Sequence, residues 1–254
     1  MQTDLGLAGA VVLVTGGVRG VGRGISEVFL AHGAHVVTCA RRETVTNAEF
    51  VQCDVRDETQ VAALIDGIVA RHGRLDVVVN NAGGAPYAPA ADASPRLHDK
   101  IVQLNLLAPL LVSQKANAVM QRQGGGSIVM ISSVSGTRAS PGTAAYGAAK
   151  AGLDSLTASL AVEWAPKVRV NSLDVGMVRT EQSHLHYGSE AAVEAVGKTV
   201  PLGRLAEPEE VGACAAFLAS GLASYVSGAT LRVHGGGEIP AFLAAADVNQ
   251  REDS

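Results

Sequence analysis

Tyr146 and Lys150 stand four residues apart in Ala145-Tyr146-Gly147-Ala148-Ala149-Lys150, and Ser133 lies thirteen residues before the tyrosine. Four residues of helix make about one turn, so a phenol and an ammonium at this spacing share a face. A phenol titrates near pH ~10 and is a poor acid or base at neutral pH unless its surroundings lower it. An ammonium about 4 Å away is worth roughly 4 kcal/mol at an effective dielectric near 20, which would lower the phenol by up to about 3 pH units. A serine delivered from a strand end would complete a proton-transfer site. Helices carry a tyrosine and a lysine at this spacing for other reasons too, so the elements around them must carry the case.

Those elements alternate. Apolar runs predict strands at Ala10–Thr15, His35–Cys39, Phe50–Cys53, Leu75–Val79, Ser127–Ser132, Val168–Leu173 and Thr230–Val233. Helical spacing follows the first strand (Val21, Ile25, Val28, Phe29) and the third (Val61, Leu64, Ile65, Ile68, Val69), with Gly33 and Gly73 as stops. Asp57 with Gln60 resembles a capping box, and Ser94-Pro95 opens a predicted long helix to about Gln123. Further helices are expected over Thr143–Trp164, Glu190–Val196 and Pro208–Ser220. Strands apolar on both faces, alternating with helices, predict a doubly wound parallel α/β sheet covered on both sides. Ligands of such sheets bind at the carboxyl ends of the strands, where Ser133, Asn81 and the first glycine turn fall.

Composition agrees with one folded domain spanning 1–254. Hydrophobic residues make up 47% and charged residues 17% of the 254, so a large core can form. A formal charge of −4 without a basic run gives no reason to propose nucleic acid or an anionic membrane as a partner. No apolar stretch approaches the ~20 residues needed to span a bilayer. Met1-Gln2-Thr3-Asp4 lacks a secretory pattern, and Cys39, Cys53 and Cys214 are widely spaced, as in a reduced cytoplasmic protein. No metal site is expected; His184-Leu185-His186 lacks further ligands.

Thr15-Gly16-Gly17-Val18-Arg19-Gly20-Val21-Gly22 joins the first strand to the first helix. Glycines there allow a tight turn and close approach of a pyrophosphate, and the helix start supplies free N–H groups. This spacing, followed in order by Asn80-Asn81-Ala82-Gly83, Asn105, Ser133, Tyr146-x-x-x-Lys150 and Thr180, resembles the short-chain dehydrogenase/reductase family over nearly the whole chain. The resemblance implies a single-domain Rossmann fold with a seven-stranded sheet, and an NAD(P)(H)-dependent oxidoreductase acting on a carbonyl or secondary alcohol. It implies a tetrad of Asn105, Ser133, Tyr146 and Lys150. Ser133 would hold the substrate oxygen, Tyr146 would pass the proton, and Lys150 would bind ribose while lowering the phenol. Cofactor contacts implied are Gly16, Arg19, Gly20, Val21 and Gly22; Asp54 and Val55; Asn81, Ala82 and Gly83; Tyr146 and Lys150; and Gly176, Val178 and Thr180.

Between the two dinucleotides, NADP(H) is expected, with NAD(H) possible. A carboxylate at the end of the second strand would hold a ribose 2′-hydroxyl and repel a 2′-phosphate. Here Ala40 stands at that point, followed by Arg41 and Arg42, and Arg19 approaches from the glycine turn.

Pro109 makes a separate prediction. It has no N–H to give the carbonyl four residues earlier, which is that of Asn105. The helix should bend there and leave a buried acceptor, which the family uses to hold a water of a proton relay.

The family's Pro-Gly after the sixth strand is replaced by Val175-Gly176, preceded by Asp174, and His234 stands where an aspartate often precedes glycines. Residues 177–198 are expected as a substrate lid and 238–254 as a tail that could reach a neighbour. Ala148, Ala151, Gly152, Ala158 and Ala161 permit close helix approach, and the resemblance implies a homotetramer, or a homodimer. A dinucleotide-sensing protein without turnover is the alternative from another class. The substrate, whether acyl thioester, steroid, sugar or small ketone, stays open.

Overall fold

A computed structural model describes residues 4–246, so the reading of Met1–Thr3 and of the tail past Ala246 lies outside the described residues. Seven strands form: β1 Val11–Thr15, β2 His35–Ala40, β3 Glu49–Gln52, β4 Val77–Asn80, β5 Gly126–Ile131, β6 Val168–Val175 and β7 Thr230–Val233. They make one parallel sheet in the order β3-β2-β1-β4-β5-β6-β7. The chain order reverses between β1 and β4, which places the ligand crevice at their carboxyl ends.

The helices are α1 Gly20–Ala31, α2 Glu58–His72, α3 Pro95–Val102, α4 Ala108–Gln123, α5 Ala144–Glu163, α6 Ser183–Tyr187, α7 Glu190–Gly197, α8 Pro208–Ala219 and α9 Ala241–Ala245. Alternate strand residues face opposite sides. Leu13 joins Ile65, Met120 and Leu153 beneath α2, α4 and α5. Val12 joins Ile25, Phe29 and Val211 beneath α1 and α8. The doubly wound expectation therefore holds.

Helices α1 and α8 meet almost backbone to backbone. A Cβ on Gly24 would lie 2.4 Å from the Pro208 Cβ, and one on Gly212 would lie 3.0 Å from the Gly24 carbonyl oxygen. Asp57 caps α2 by accepting from the N–H groups of Thr59 and Gln60. The return half of the capping box is diverted: Gln60 Oε1 accepts from the Asp54 N–H at 2.9 Å, tying the end of β3 to α2 instead.

The predicted single helix from Ser94 to Gln123 is divided. A π turn over Gln103–Leu107 separates α3 from α4, and the Ala108 N–H bonds the Gln103 carbonyl five residues back. Proline at 109 supplies the cause, since it can neither donate to the Asn105 carbonyl nor fit its ring against it in a regular turn. Helices α6 and α9 were not legible in the sequence. Both are a single short turn, below the length at which apolar periodicity can be read.

Candidate active site

The Tyr146 helix reaches the end of β5 because two glycines let it. A Cβ on Gly147 would sit 2.6 Å from the Ser135 carbonyl oxygen, and one on Gly136 would sit 2.7 Å from the Ala151 nitrogen. Larger residues at either position would push α5 away from the short 3-10 turn Val134–Gly136 that Ser133 begins. Ser133 itself is extended, and its Oγ accepts from the Ser135 N–H at 3.2 Å.

Lys150 is buried, 3% exposed, one turn after Tyr146 on the same face. Its Nζ donates to the Ile131 carbonyl at 2.7 Å and lies 5.5 Å from the Tyr146 ring centroid. Burial lowers Lys150 to about 8, partly opposed by Asp154 one turn further on. Burial also raises the Tyr146 phenol, and the hydrogen bond from Ser133 pulls it back. This corrects the simple expectation that the ammonium alone brings the phenol down. The ammonium is directed to the Ile131 carbonyl, beside the ring, and Ser133 only partly offsets the rise that burial imposes on the phenol.

Asn105 is fully buried, and its amide is committed to the protein. Oδ1 accepts from the Gly84 N–H at 2.8 Å, while Nδ2 donates to the carbonyls of Gly84 at 3.0 Å and Ile101 at 2.8 Å. The side chain thus pins the Gly83-Gly84 segment, and a Cβ on Gly83 would come within 2.7 Å of Asn105 Oδ1 and 3.5 Å of Lys150 Nζ. What Asn105 can offer the site is its main-chain carbonyl, in the π turn that Pro109 imposes.

The glycine turn forms a narrow cradle between β1 and α1. Gly16 and Gly20 adopt φ of 67° and 49°, conformations that favour glycine. A Cβ on Gly22 would lie 2.3 Å from both the Asn81 Nδ2 and the Gly16 carbonyl oxygen. Asn81 is a brace rather than a free ligand: its Nδ2 donates to the carbonyls of Thr15 at 2.9 Å and Gly16 at 3.2 Å. Thr15 Oγ1 accepts in return from the Asn81 and Ala82 N–H groups, each at 3.0 Å. Arg19 occupies the cap position of α1 with no side-chain cap, so Gly20, Val21 and Gly22 open the helix toward the crevice. Such a start, with glycine on either side of Val21, lets a pyrophosphate approach the backbone closely.

Around this cradle, Arg19, Arg41 and Arg42 are exposed and form no salt bridge with any described residue. Asp54 is less free. Arg56 contacts both its oxygens, at 2.9 and 2.6 Å, and holds the carboxyl below its ordinary value, with a smaller pull from Arg41. Val55 is buried in the core. From β6, Gly176 donates its N–H to the Val233 carbonyl at 3.0 Å. Val178 bridges to Ala206, and the Thr180 methyl would lie 3.5 Å from a Cβ on Gly20. The residues expected to hold one ligand therefore follow strands along the carboxyl edge of the parallel sheet, with Val55 turned into the core and Asp54 paired to Arg56.

The two departures have structural roles. Strand β6 simply continues through Val175, paired with Val233, where the family's proline would stand. His234 Nδ1 accepts from the Gly236 N–H at 3.2 Å, the bond an aspartate could make. Asp174 is fully buried with Oδ1 unpartnered; its Oδ2 lies 3.4 Å from Thr137 Oγ1 and 3.8 Å from Arg232 Nε. Burial raises its carboxyl. Sequence reasoning named Thr15, Gly147 and Asp174 without giving them a role and passed over Gly136; the glycine beside Tyr146 in an otherwise helical run was the readable signal. No group of three potential metal ligands occurs among the described residues.

Residues 16–238 match the family model described as Enoyl-(Acyl carrier protein) reductase. A tropinone reductase homolog of Arabidopsis thaliana is 36% identical, over 96% of this chain and 99% of that one. D-threitol dehydrogenase of Mycolicibacterium smegmatis is 35% identical over 92% of this chain and 94% of its own. The ligand-free structure of Thermoplasma acidophilum aldohexose dehydrogenase superposes with a TM-score of 0.88 at 33% identity, covering 92% of this chain and 96% of that one. With a sheet, a glycine cradle and a Tyr-Lys helix arranged as above, the chain belongs to the short-chain dehydrogenase/reductase family and is an NAD(P)-dependent oxidoreductase of alcohol and carbonyl groups.

Proposed function

We propose that the protein is an NADP(H)-dependent carbonyl reductase in which Tyr146 exchanges the proton with the substrate oxygen. What supports this reading is that Lys150, buried at the end of β5, lies 5.5 Å from the Tyr146 ring, that Ser133 acts on the same phenol, and that a Cβ on Gly83 after β4 would stand 3.5 Å from Lys150 Nζ. The nicotinamide, when bound, supplies or takes the hydride. Ser133 orients the substrate oxygen and stabilises charge on it, and Tyr146 gives or accepts the proton at its Oη. Lys150, held by Ile131, binds ribose and refills the proton through the π-turn region of Asn105.

The exposed guanidinium groups of Arg19, Arg41 and Arg42, with no carboxylate after β2, support NADP(H) over NAD(H). Residues 177–198 act as the substrate lid. There Tyr187 lies in the field of Arg138 and Glu238, which pair at 2.6 Å, so the lid side of the crevice is polar as well as apolar. A hydroxylated carbonyl compound suits such a lining, and two relatives carry names of sugar or polyol dehydrogenases. The chain assembles as a homotetramer or homodimer through exposed apolar residues such as Leu107, 50% exposed, Val162, 80% exposed, and Ala148 and Ala151 on α5. We place it in the cytoplasm, and its cysteines are free.

The test is a panel of sugar, polyol-derived, thioester and simple ketone substrates, each assayed with NADPH and NADH. Consumption of NADPH in preference to NADH with at least one carbonyl supports the reading. Tight dinucleotide binding without turnover on any of them would favour a sensor.

A further inference from the structure

The first N–H of α1 already has a partner. Both carboxylate oxygens of Glu181 accept from the Gly20 N–H, at 3.1 and 3.3 Å, across 161 residues of sequence. Gly20 is the left-handed glycine that opens the helix at the cradle. Glu181 follows Thr180, whose side chain rests over the same glycine, and precedes α6. A negative group from the segment after β6 thus sits at the helix start where a pyrophosphate has its best donors.

We propose that Glu181 is a latch on the dinucleotide site, an internal carboxylate that occupies the phosphate position and must leave before the cofactor can seat. The inference rests on the dinucleotide reading of the glycine turn. Three features argue for a latch over a permanent helix cap. The single Gly20 N–H is shared between the two oxygens at 3.1 and 3.3 Å, so neither reaches the about 2.7–2.9 Å of a full charge-assisted bond. Glu181 forms no salt bridge with any described residue; nearby Arg23 is engaged by Glu27 at 2.7 Å. The carboxylate also lines an open cleft of about 530 Å³ between α1 and the 179–193 segment, with Arg23, Arg179 and Pro208, so it has room to swing away.

The arrangement couples cofactor entry to the segment that carries α6 and α7. With the latch closed most of the time, the apparent affinity for any ligand of the Gly20 N–H is reduced by the fraction of open molecules. When a pyrophosphate takes that N–H, Glu181 is expelled by like charge, and residues 181–188 are released from the cradle. Dinucleotide binding would therefore precede and permit rearrangement over the substrate.

The test compares the full-length protein with Glu181→Gln and Glu181→Ala. Dissociation constants are measured by titration for NADPH, for ADP, which adds a diphosphate to adenosine and lacks the nicotinamide half, and for adenosine, which carries no phosphate. Both variants should bind NADPH and ADP about tenfold more tightly, corresponding to ~1.4 kcal/mol, with adenosine unchanged. Hydrogen exchange of the cofactor-free variants should be faster than in the parent over residues 181–188. Unchanged or weaker ADP binding in both variants, or an equal gain for adenosine, overturns the latch. A parent that binds neither NADPH, NADH nor ADP overturns the dinucleotide reading itself, and the latch with it.

Discussion

Replacing Lys150 with methionine should make the protein more alkali-indifferent while destroying its function, and the size of the effect follows from where the ammonium sits. Lys150 falls from an ordinary 10.5 to about 8 because it is buried at 3% exposure. A depressed lysine means that the unfolded chain binds more protons between those two values, so stability rises with pH across that window. Below about 8 the cost of the buried charge is fully present, at roughly 3 kcal/mol near pH ~7. Near pH ~9.5 the same shift leaves only about 1.4 kcal/mol, because the folded lysine is then neutral and the unfolded one is mostly not. Lys150→Met removes the titration and also leaves the Ile131 carbonyl without its donor, a pH-independent loss of about 1–3 kcal/mol. Urea unfolding of parent and variant at both pH values isolates the pH-dependent part. The parent should gain about 2 kcal/mol on the variant between them. A difference that stays flat, or moves the other way, would refute the reasoning that the lysine is held as a strained cation. It would mean that the ammonium is fully compensated in place.

Other expectations are as direct. Gly22→Ala puts a Cβ 2.3 Å from Asn81 Nδ2 and the Gly16 carbonyl, so the cradle must open. NADPH titration should show affinity lowered at least about tenfold, with stability reduced by about 2 kcal/mol. Arg41→Ala combined with Arg42→Ala should lower kcat/KM for NADPH by roughly ten- to a hundredfold and leave that for NADH within about twofold, in steady-state assays. Asp174→Asn probes a carboxyl raised by burial. The parent should lose stability relative to this variant as pH rises from the unfolded carboxyl's value through the folded one, read from urea midpoints between pH ~4 and ~7.

What the sequence disclosed was whatever a local pattern enforces. The apolar runs of β1, β4 and β6, the caps at Asp57 and Ser94, and the glycines at 16, 20 and 22 each act through neighbours a few residues away. The break at Asn105 was legible for the same reason, since a proline four residues on acts on one named carbonyl. Effects that depend on distant packing were not legible. Whether Lys150 would point to the phenol or to the Ile131 carbonyl is set by how closely α5 approaches β5, which Gly136 and Gly147 decide. Gln60 and Asn81 were read as capping and cofactor residues, yet their amides brace Asp54 and the glycine turn. The contact of Glu181 with Gly20 joins residues 161 apart and left no mark in sequence.

The proton role of Tyr146 can be measured most directly with NADPH carrying deuterium at the transferred position and a carbonyl the parent protein reduces. The parent should place one deuterium on the alcohol carbon. Tyr146→Phe should bind NADPH with unchanged affinity and transfer label at least about a thousandfold more slowly. Transfer by the phenylalanine variant at the parent rate would show that the proton comes from elsewhere and would contradict the mechanism.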